Sequence, residues 1–396
     1  MTKFFHSSMP GAPTLSGTAG ALTDLLDACL VSGFGTKSVS GLVVSGGVAT
    51  MACSSPHAAV VGSTVLVSGA TPSGLNGEKV VTAISSTSVS FATALVDQTA
   101  TGTISFKIAA LGWTIAQTAT NTRAYKPTSA EATGCILRID DTSTTVARAL
   151  GYESLSDINT GTGKFPRDEV ISGGFVWPKS EAGDTNARRW MIFGDDRCFY
   201  ISISPHSGFQ AQAVTNFFGD FNAQRSGDAY ACMLTGAYAA DVTYRQSPSE
   251  GEIGGSIRVG ARSGYGAYVA RSHTGLGGPI GIDCVGQGHI SGSGLAFSGG
   301  AYYGSANFPN PSDNGLLLNQ VSLFAASSMR GILPGVWHCP QYAQPSFVHG
   351  DIVDGFGTLA GRKLMAVVVS SAYANSTGQP NGYGVMFMDL TGPWRS

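Results

Sequence analysis

Apolar residues recur at helical spacing in one clear place. Leu22, Leu25, Leu26, Cys29 and Leu30 predict an amphipathic helix over residues 18–31. Thr18 stands where an N-cap is expected, and Gly33 where a helix is expected to stop. The preceding residues 4–16 are punctuated by Pro and Gly and read as extended. Elsewhere the pattern has the period of strands. Short β-branched and aromatic runs alternate with Gly, Ser, Asn and Asp clusters.

Between 38 and 108 these runs are densest. Val39, Leu42 and Val44 lead to the turn Gly46-Gly47, and further runs follow at 48–52, 64–67, 79–84, 88–91 and 103–106. This reads as a small all-β module. Residues 1–37 and 109–396 read as parts of another unit into which it is inserted. Beyond 109, four hairpins are expected. They pair 135–140 with 145–150, 189–193 with 198–203, 256–262 with 265–270, and 363–369 with 383–388. Hairpins in series without helical patterning predict a mainly β fold. The main domain is read as β-sandwich-like, with one short N-terminal helix. Residues 275–304 hold too many glycines for regular strands and read as a long loop reaching toward another protein.

Composition adds a constraint on the surface. Charged residues make up 12% of the 396, against about 25% in an average protein. Glycine supplies 54 positions, close to twice the usual share of ~7%. A face in water normally carries interspersed charge, and interface cores are depleted in it. Much of this surface is therefore expected to be covered by neighbours in an assembly. With a net charge of −2 and no long basic run, no nucleic-acid footprint is present. Arg188, Arg258, Arg262 and Arg271 read as solvated strand faces. No apolar run is long enough to span a membrane, and residues 1–6 lack the look of a secretion signal.

The seven cysteines are odd in number and unpaired in spacing, which predicts free buried thiols. The histidines are scattered; His57 and His206 each follow a Pro and read as turn residues. No phosphate loop, nucleophile elbow or zinc-protease helix occurs. One polar cluster draws notice. Asp220, Asn222 and Asp228 bring three oxygen-bearing side chains close in sequence, as a Ca²⁺ loop would, but no acidic residue stands at Ala231 to complete the spacing. A polar turn is the preferred reading. Asp140-Asp141 and Asp195-Asp196 read as turn pairs. No catalytic, cofactor-binding or metal-ligating residue is assigned.

Particular stretches of the module carry a resemblance: Gly47-Val48-Ala49-Thr50, Pro56-His57-Ala58, Val67-Ser68-Gly69-Ala70-Thr71 and Leu75-Asn76-Gly77-Glu78. They are similar to the small β modules that recur in tailed-bacteriophage tail and fibre proteins. The segment Ser226-Gly227-Asp228-Ala229-Tyr230-Ala231-Cys232 and the ending Met388-Asp389-Leu390-Thr391-Gly392-Pro393-Trp394-Arg395 also resemble phage virion proteins. The resemblance implies a structural, non-enzymatic subunit of the tail, baseplate or fibre attachment. It would be assembled in the bacterial cytoplasm and held by other virion proteins. A homo-oligomeric ring of three or six follows from the general preference for cyclic symmetry. Three alternatives are carried. A receptor- or glycan-binding protein would use Trp177, Trp337 and Tyr302-Tyr303 as stacking surfaces. A capsid decoration protein would share the same composition. A polysaccharide hydrolase would use an unidentified acidic pair.

Overall fold

The computed structural model describes residues 1–207, 214–238, 265–286, 308–325, 328–339, 341, 343, 346–370 and 383–395. The fold is mainly β, and every strand pairing among these residues is antiparallel.

The largest sheet has twelve strands. Its path runs Lys3–His6, Arg189–Gly194, Cys198–Ser204, Val214–Asp220, Cys232–Ala237, Phe175–Pro178, Val146–Tyr152, Ile136–Asp140, Thr122–Pro127 and Trp113–Ala119. Tyr265–Val269 adds to the strand Cys232–Ala237. The hairpins expected near 140 and 195 form with Ile139 opposite Ala149 and Ile192 opposite Ile201. Cys198–Ser204 is buried along its whole length. That explains its near-continuous apolar sequence, because both of its faces are covered.

A second sheet of seven strands includes Asn319–Ala325, Ser328–His338, Tyr383–Asp389, Lys363–Ser370 and Ile352–Asp354. The two sheets share a core. Tyr200 and Phe217 of the first lie in one apolar cluster with Val321, Val336, Met365 and Met388 of the second. The Tyr200 hydroxyl satisfies itself by donating to the Pro334 carbonyl at 2.7 Å.

Residues 34–108 form a separate small barrel. The long strand Phe34–Ser45 pairs with Val48–Cys53 on one edge and with Ser105–Ile108 on the other. Pairings through Ser88–Ala92, Gly77–Ser85 and Thr64–Ser68 close the circuit. Closure removes free sheet edges. Leu42, Val44, Met51, Val65, Val67, Val89, Phe91 and Phe106 fill the interior. Gly46 and Gly47 have φ of 56° and 79°, the two positive values a tight hairpin turn needs. The chain enters and leaves side by side, with Phe34 opposite Ile108.

The helix departs from expectation. It runs Ala21–Leu26 and continues as a π-helical turn over Asp27–Ser32. It starts three residues later than its pattern suggests, because Gly20 adopts φ 86° and Thr18 makes no side-chain cap. The cap comes from elsewhere: the Asp141 carboxylate accepts the Leu22 N–H at 2.7 Å and the Thr23 N–H at 3.3 Å. Asp141 is fully buried, so it is no exposed turn residue. Its other oxygen pairs with Lys179, also fully buried, whose ammonium donates to the Thr18 carbonyl at 2.7 Å. So short a helix is unstable alone. Burial of Leu22, Leu25, Leu26 and Leu30, each worth about 1.5–3 kcal/mol, and this long-range cap hold it in place.

Arg188 is likewise not on a solvated face. It is 1% exposed and donates to the Pro205 and Asn186 carbonyls and to Asp184. Arg271 is partly exposed and pairs with Glu153. Arg258, Arg262 and the first strand of the third expected hairpin lie outside the described residues. So does 287–304 of the Gly-rich stretch; its beginning holds the short strands Ile280–Gly281 and Asp283–Gly286.

Candidate functional site

The cluster around residue 220 resolves into three separate structural contacts. Asp220 ends the strand Val214–Asp220 and is buried. Its carboxylate accepts the Thr133 N–H at 3.0 Å and hydroxyl at 2.6 Å, and the Arg197 Nε–H at 3.1 Å. Burial pushes its carboxyl upward, and these donors work against that. Asp228 receives a two-pronged contact from Arg330, at 2.7 and 3.0 Å, and caps the Tyr230 N–H at 3.0 Å. Asn222 donates instead to the Trp394 carbonyl at 3.0 Å. The three oxygens serve different partners, and no group of three acidic, His or Cys side chains suited to a metal occurs among the described residues.

The C-terminal segment is the hub of this region. Asp389 accepts the N–H groups of Thr391 and Gly392, and its backbone carbonyl accepts the Trp394 indole N–H at 2.9 Å. Gly335, at φ 70°, lies so close to the Trp394 ring that a Cβ there would collide with it. Arg395 then reaches back across the first sheet. It pairs with Asp195, and donates to the Asp220 carbonyl at 2.6 Å and to the Cys198 sulfur at 3.0 Å. Asp195 spends its other oxygen on the Arg197 and Cys198 N–H groups, both at 2.9 Å. Asp195 is therefore more than a turn residue. It joins the ends of two strands to the C-terminus. Beside it lies an open cleft of about 430 Å³, lined by Met1, Glu131, Arg197, Pro393 and Arg395 among others. Nothing in the spacing of Asp195, Asp220 and Arg395 along the chain announces this junction.

All seven cysteines are free and buried, in line with their spacing. His57 is buried, and its Nε2 lies 2.7 Å from the Ser85 carbonyl. Trp177 is fully buried and donates to the Thr235 carbonyl, so it offers no face to a sugar. Trp337 is half-buried against the second sheet's apolar cluster, and Tyr302-Tyr303 lie outside the described residues.

The small barrel presents a different kind of surface. Lys37, Glu78, Lys79, Asp97 and Lys107 are its only Lys, Arg, Asp or Glu residues. Val43, Val48, Val61, Val80, Ile84 and Val96 are each at least 42% exposed on it. A second exposed apolar group, Val348, Ile352 and Phe356, borders the edge strand Ile352–Asp354, with Phe356 94% exposed.

No protein-family model matches the chain, and no curated protein matches it. Among solved structures, the chain shows a likeness to the phage phi92 endosialidase at 14% identity. The match covers 90% of this chain and 52% of that one, with a TM-score of 0.17. The chain thus spans about half the length of that protein. A score so low gives the likeness no weight for fold or activity. No helix among the described residues is long and apolar enough to cross a membrane.

Proposed function

We propose that this chain is a structural component of a tailed-bacteriophage particle, in the tail, baseplate or fibre-attachment region. It works through contacts with other virion proteins and with copies of itself, without chemistry of its own. The observation that carries this reading is the barrel at 34–108. Its sequence resembles phage tail and fibre modules, and its outer face is almost uncharged while exposing six large aliphatic side chains. A surface this poor in charge that also exposes aliphatic side chains is what a contact with neighbouring subunits would require. The buried ion pairs fit a rigid subunit. Asp195, Asp220 and Asp228 are each bound to a guanidinium and to N–H or hydroxyl donors, which leaves them poorly suited to act on a substrate.

The direct test is to locate the chain in intact particles by high-resolution imaging, with antibody labelling as a check. Density for the barrel packed against neighbouring subunits is the expected result. A chain absent from purified particles, soluble and monomeric in infected cells, overturns the reading.

A further inference from the structure

The sequence holds three Asn-Gly pairs, at 76–77, 314–315 and 381–382. The third lies outside the described residues. In such a pair the main-chain nitrogen after the Asn can attack the side-chain carboxamide carbon. Glycine leaves that nitrogen unshielded and its backbone free to turn. The two described pairs share this sequence and differ in their surroundings.

Asn76 is held in place. Its Oδ1 accepts the Ala70 N–H and its Nδ2 donates to the Ala70 carbonyl, both at 2.8 Å. It is half-buried, and Gly77 is committed to the barrel ladder opposite Val67. Asn314 is exposed on the turn 310–315, at φ 59° in the left-handed region. Its side chain has no hydrogen-bond partner among the described residues. The Gly315 N–H donates to the Asp313 carboxylate at 2.9 Å. A charged acceptor there draws the proton away from the nitrogen.

We infer that Asn314 is a site of spontaneous modification, with water the one co-reactant. The Gly315 nitrogen bonds to Cγ of Asn314 and the Cγ–Nδ2 bond breaks. The Gly315 proton passes through the Asp313 carboxylate and leaves with Nδ2 as ammonia. The product is a cyclic imide. Water adds to one of its two carbonyls, and the C–N bond at that carbonyl breaks. Opening at Cγ gives aspartate. Opening at the main-chain carbonyl gives isoaspartate, whose backbone runs through Cγ and is one carbon longer. That longer route displaces the Gly315 carbonyl, which accepts the Asn310 N–H and the Gln341 Nε2–H, both at 3.1 Å. Gln341 is buried, and its Oε1 accepts the Leu317 N–H at 2.6 Å. The change therefore reaches from an exposed turn to the contacts that set Leu316 and Leu318 against the second sheet's apolar cluster. This inference stands apart from the virion reading and fails or holds independently of it.

The test compares the folded with the unfolded chain. The full chain is incubated at pH 8 in buffer and, in parallel, in concentrated guanidinium chloride, until both peptides have converted in denaturant. Peptide mapping by mass spectrometry reads amide loss at 76 and 314, and an isoaspartate methyltransferase assay reads the rearranged product. In denaturant the two sites should convert at rates within about threefold of each other, since their surroundings are then alike. In the folded chain Asn314 should convert at least about tenfold faster than Asn76. Exchange of the Leu317 amide should rise in step with conversion. Asn314→Gln, which would need a larger ring, should abolish the signal at 314. Asp313→Asn should slow conversion of the folded chain at 314 and leave Asn76 unchanged. An intact Asn314 in the folded chain, or equal folded rates at 76 and 314, overturns the inference; a wild-type rate in Asp313→Asn overturns the role given to Asp313.

Discussion

The contact that best tests the physical reading is the one beneath the helix. Replacing Asp141 with Ala has two separable consequences. Lys179 keeps only the Thr18 carbonyl as a partner, so a fully buried ammonium loses its counter-charge. Breaking a buried pair from one side costs roughly 3–5 kcal/mol. The Leu22 and Thr23 N–H groups lose their acceptor, which adds about 1 kcal/mol, the usual value of an N-cap. The sum of roughly 4–6 kcal/mol is enough to free the helix from the sheet. Asp141→Asn keeps an acceptor for the N–H groups but not the charge, and should cost about 3 kcal/mol. Lys179→Met combined with Asp141→Leu removes both charges and should recover most of the loss, leaving chiefly the cap. Burial drives the Asp141 carboxyl upward and the Lys179 ammonium downward, so each holds the other ionised. With two large sheets and a barrel the chain is unsuited to a single unfolding constant. Hydrogen exchange of the amides at 22–30 is therefore the proper assay. Loss of protection in Asp141→Ala, partial in Asp141→Asn and mostly restored in the double variant, is the expected order. A single variant indistinguishable from wild type, or a double variant no better than Asp141→Ala, refutes the account.

His349 makes stability pH-dependent: burial, with the Arg189 charge, lowers it from 6.5 to about 4. Below pH 6.5 the unfolded chain therefore takes up a proton that the folded one refuses, and stability falls progressively down to pH 4, by roughly 3 kcal/mol in all. Denaturation midpoints at pH 7 and 4.5 should show a smaller drop in His349→Gln than in wild type. Asn216 is fully buried, and neither of its amide atoms has a partner among the described residues, so Asn216→Leu should stabilise by about 1–2 kcal/mol, seen as a higher melting temperature. Arg395→Ala leaves Asp195 and the Cys198 sulfur without their guanidinium. The pair is slightly exposed, so the cost should be about 2–3 kcal/mol, with exchange at 195–198 rising first.

Strand positions were legible because each side chain declares its face. The alternation in 137–140 and the near-continuous apolar run in 198–203 mark one-sided and two-sided burial directly. The turn at Gly46-Gly47 was legible for the same local reason. The helix cap was not, because its acceptor lies about 120 positions away at Asp141. Locally, Asp140-Asp141 looks like any acidic turn. Arg188 misleads in the same manner: an adjacent basic pair suggests solvent, while its three acceptors come from Asp184, Asn186 and Pro205. Trp177 misleads in reverse, since an aromatic that could stack on a ligand is spent on a core hydrogen bond to Thr235. Long-range pairing decides each case, and it leaves no mark on spacing.

The distribution of charge sharpens the argument about the surface. The chain has only 23 basic and 25 acidic residues. Many of them are turned inward or bound to each other: Lys179 with Asp141, Arg330 with Asp228, Arg395 with Asp195, Arg197 with Asp220, Arg188 with Asp184, and Arg362 with Asp389. Composition alone therefore understates how little free charge the exterior carries. Buried pairs of this kind are poor sources of net stability compared with apolar packing, although removing one partner is costly. Their strongest effect is to fix a single arrangement of the strand ends that they join. On the virion role proposed above, each valine exposed on the barrel would gain an apolar partner on a neighbouring subunit, at the cost of the rotational freedom that association removes.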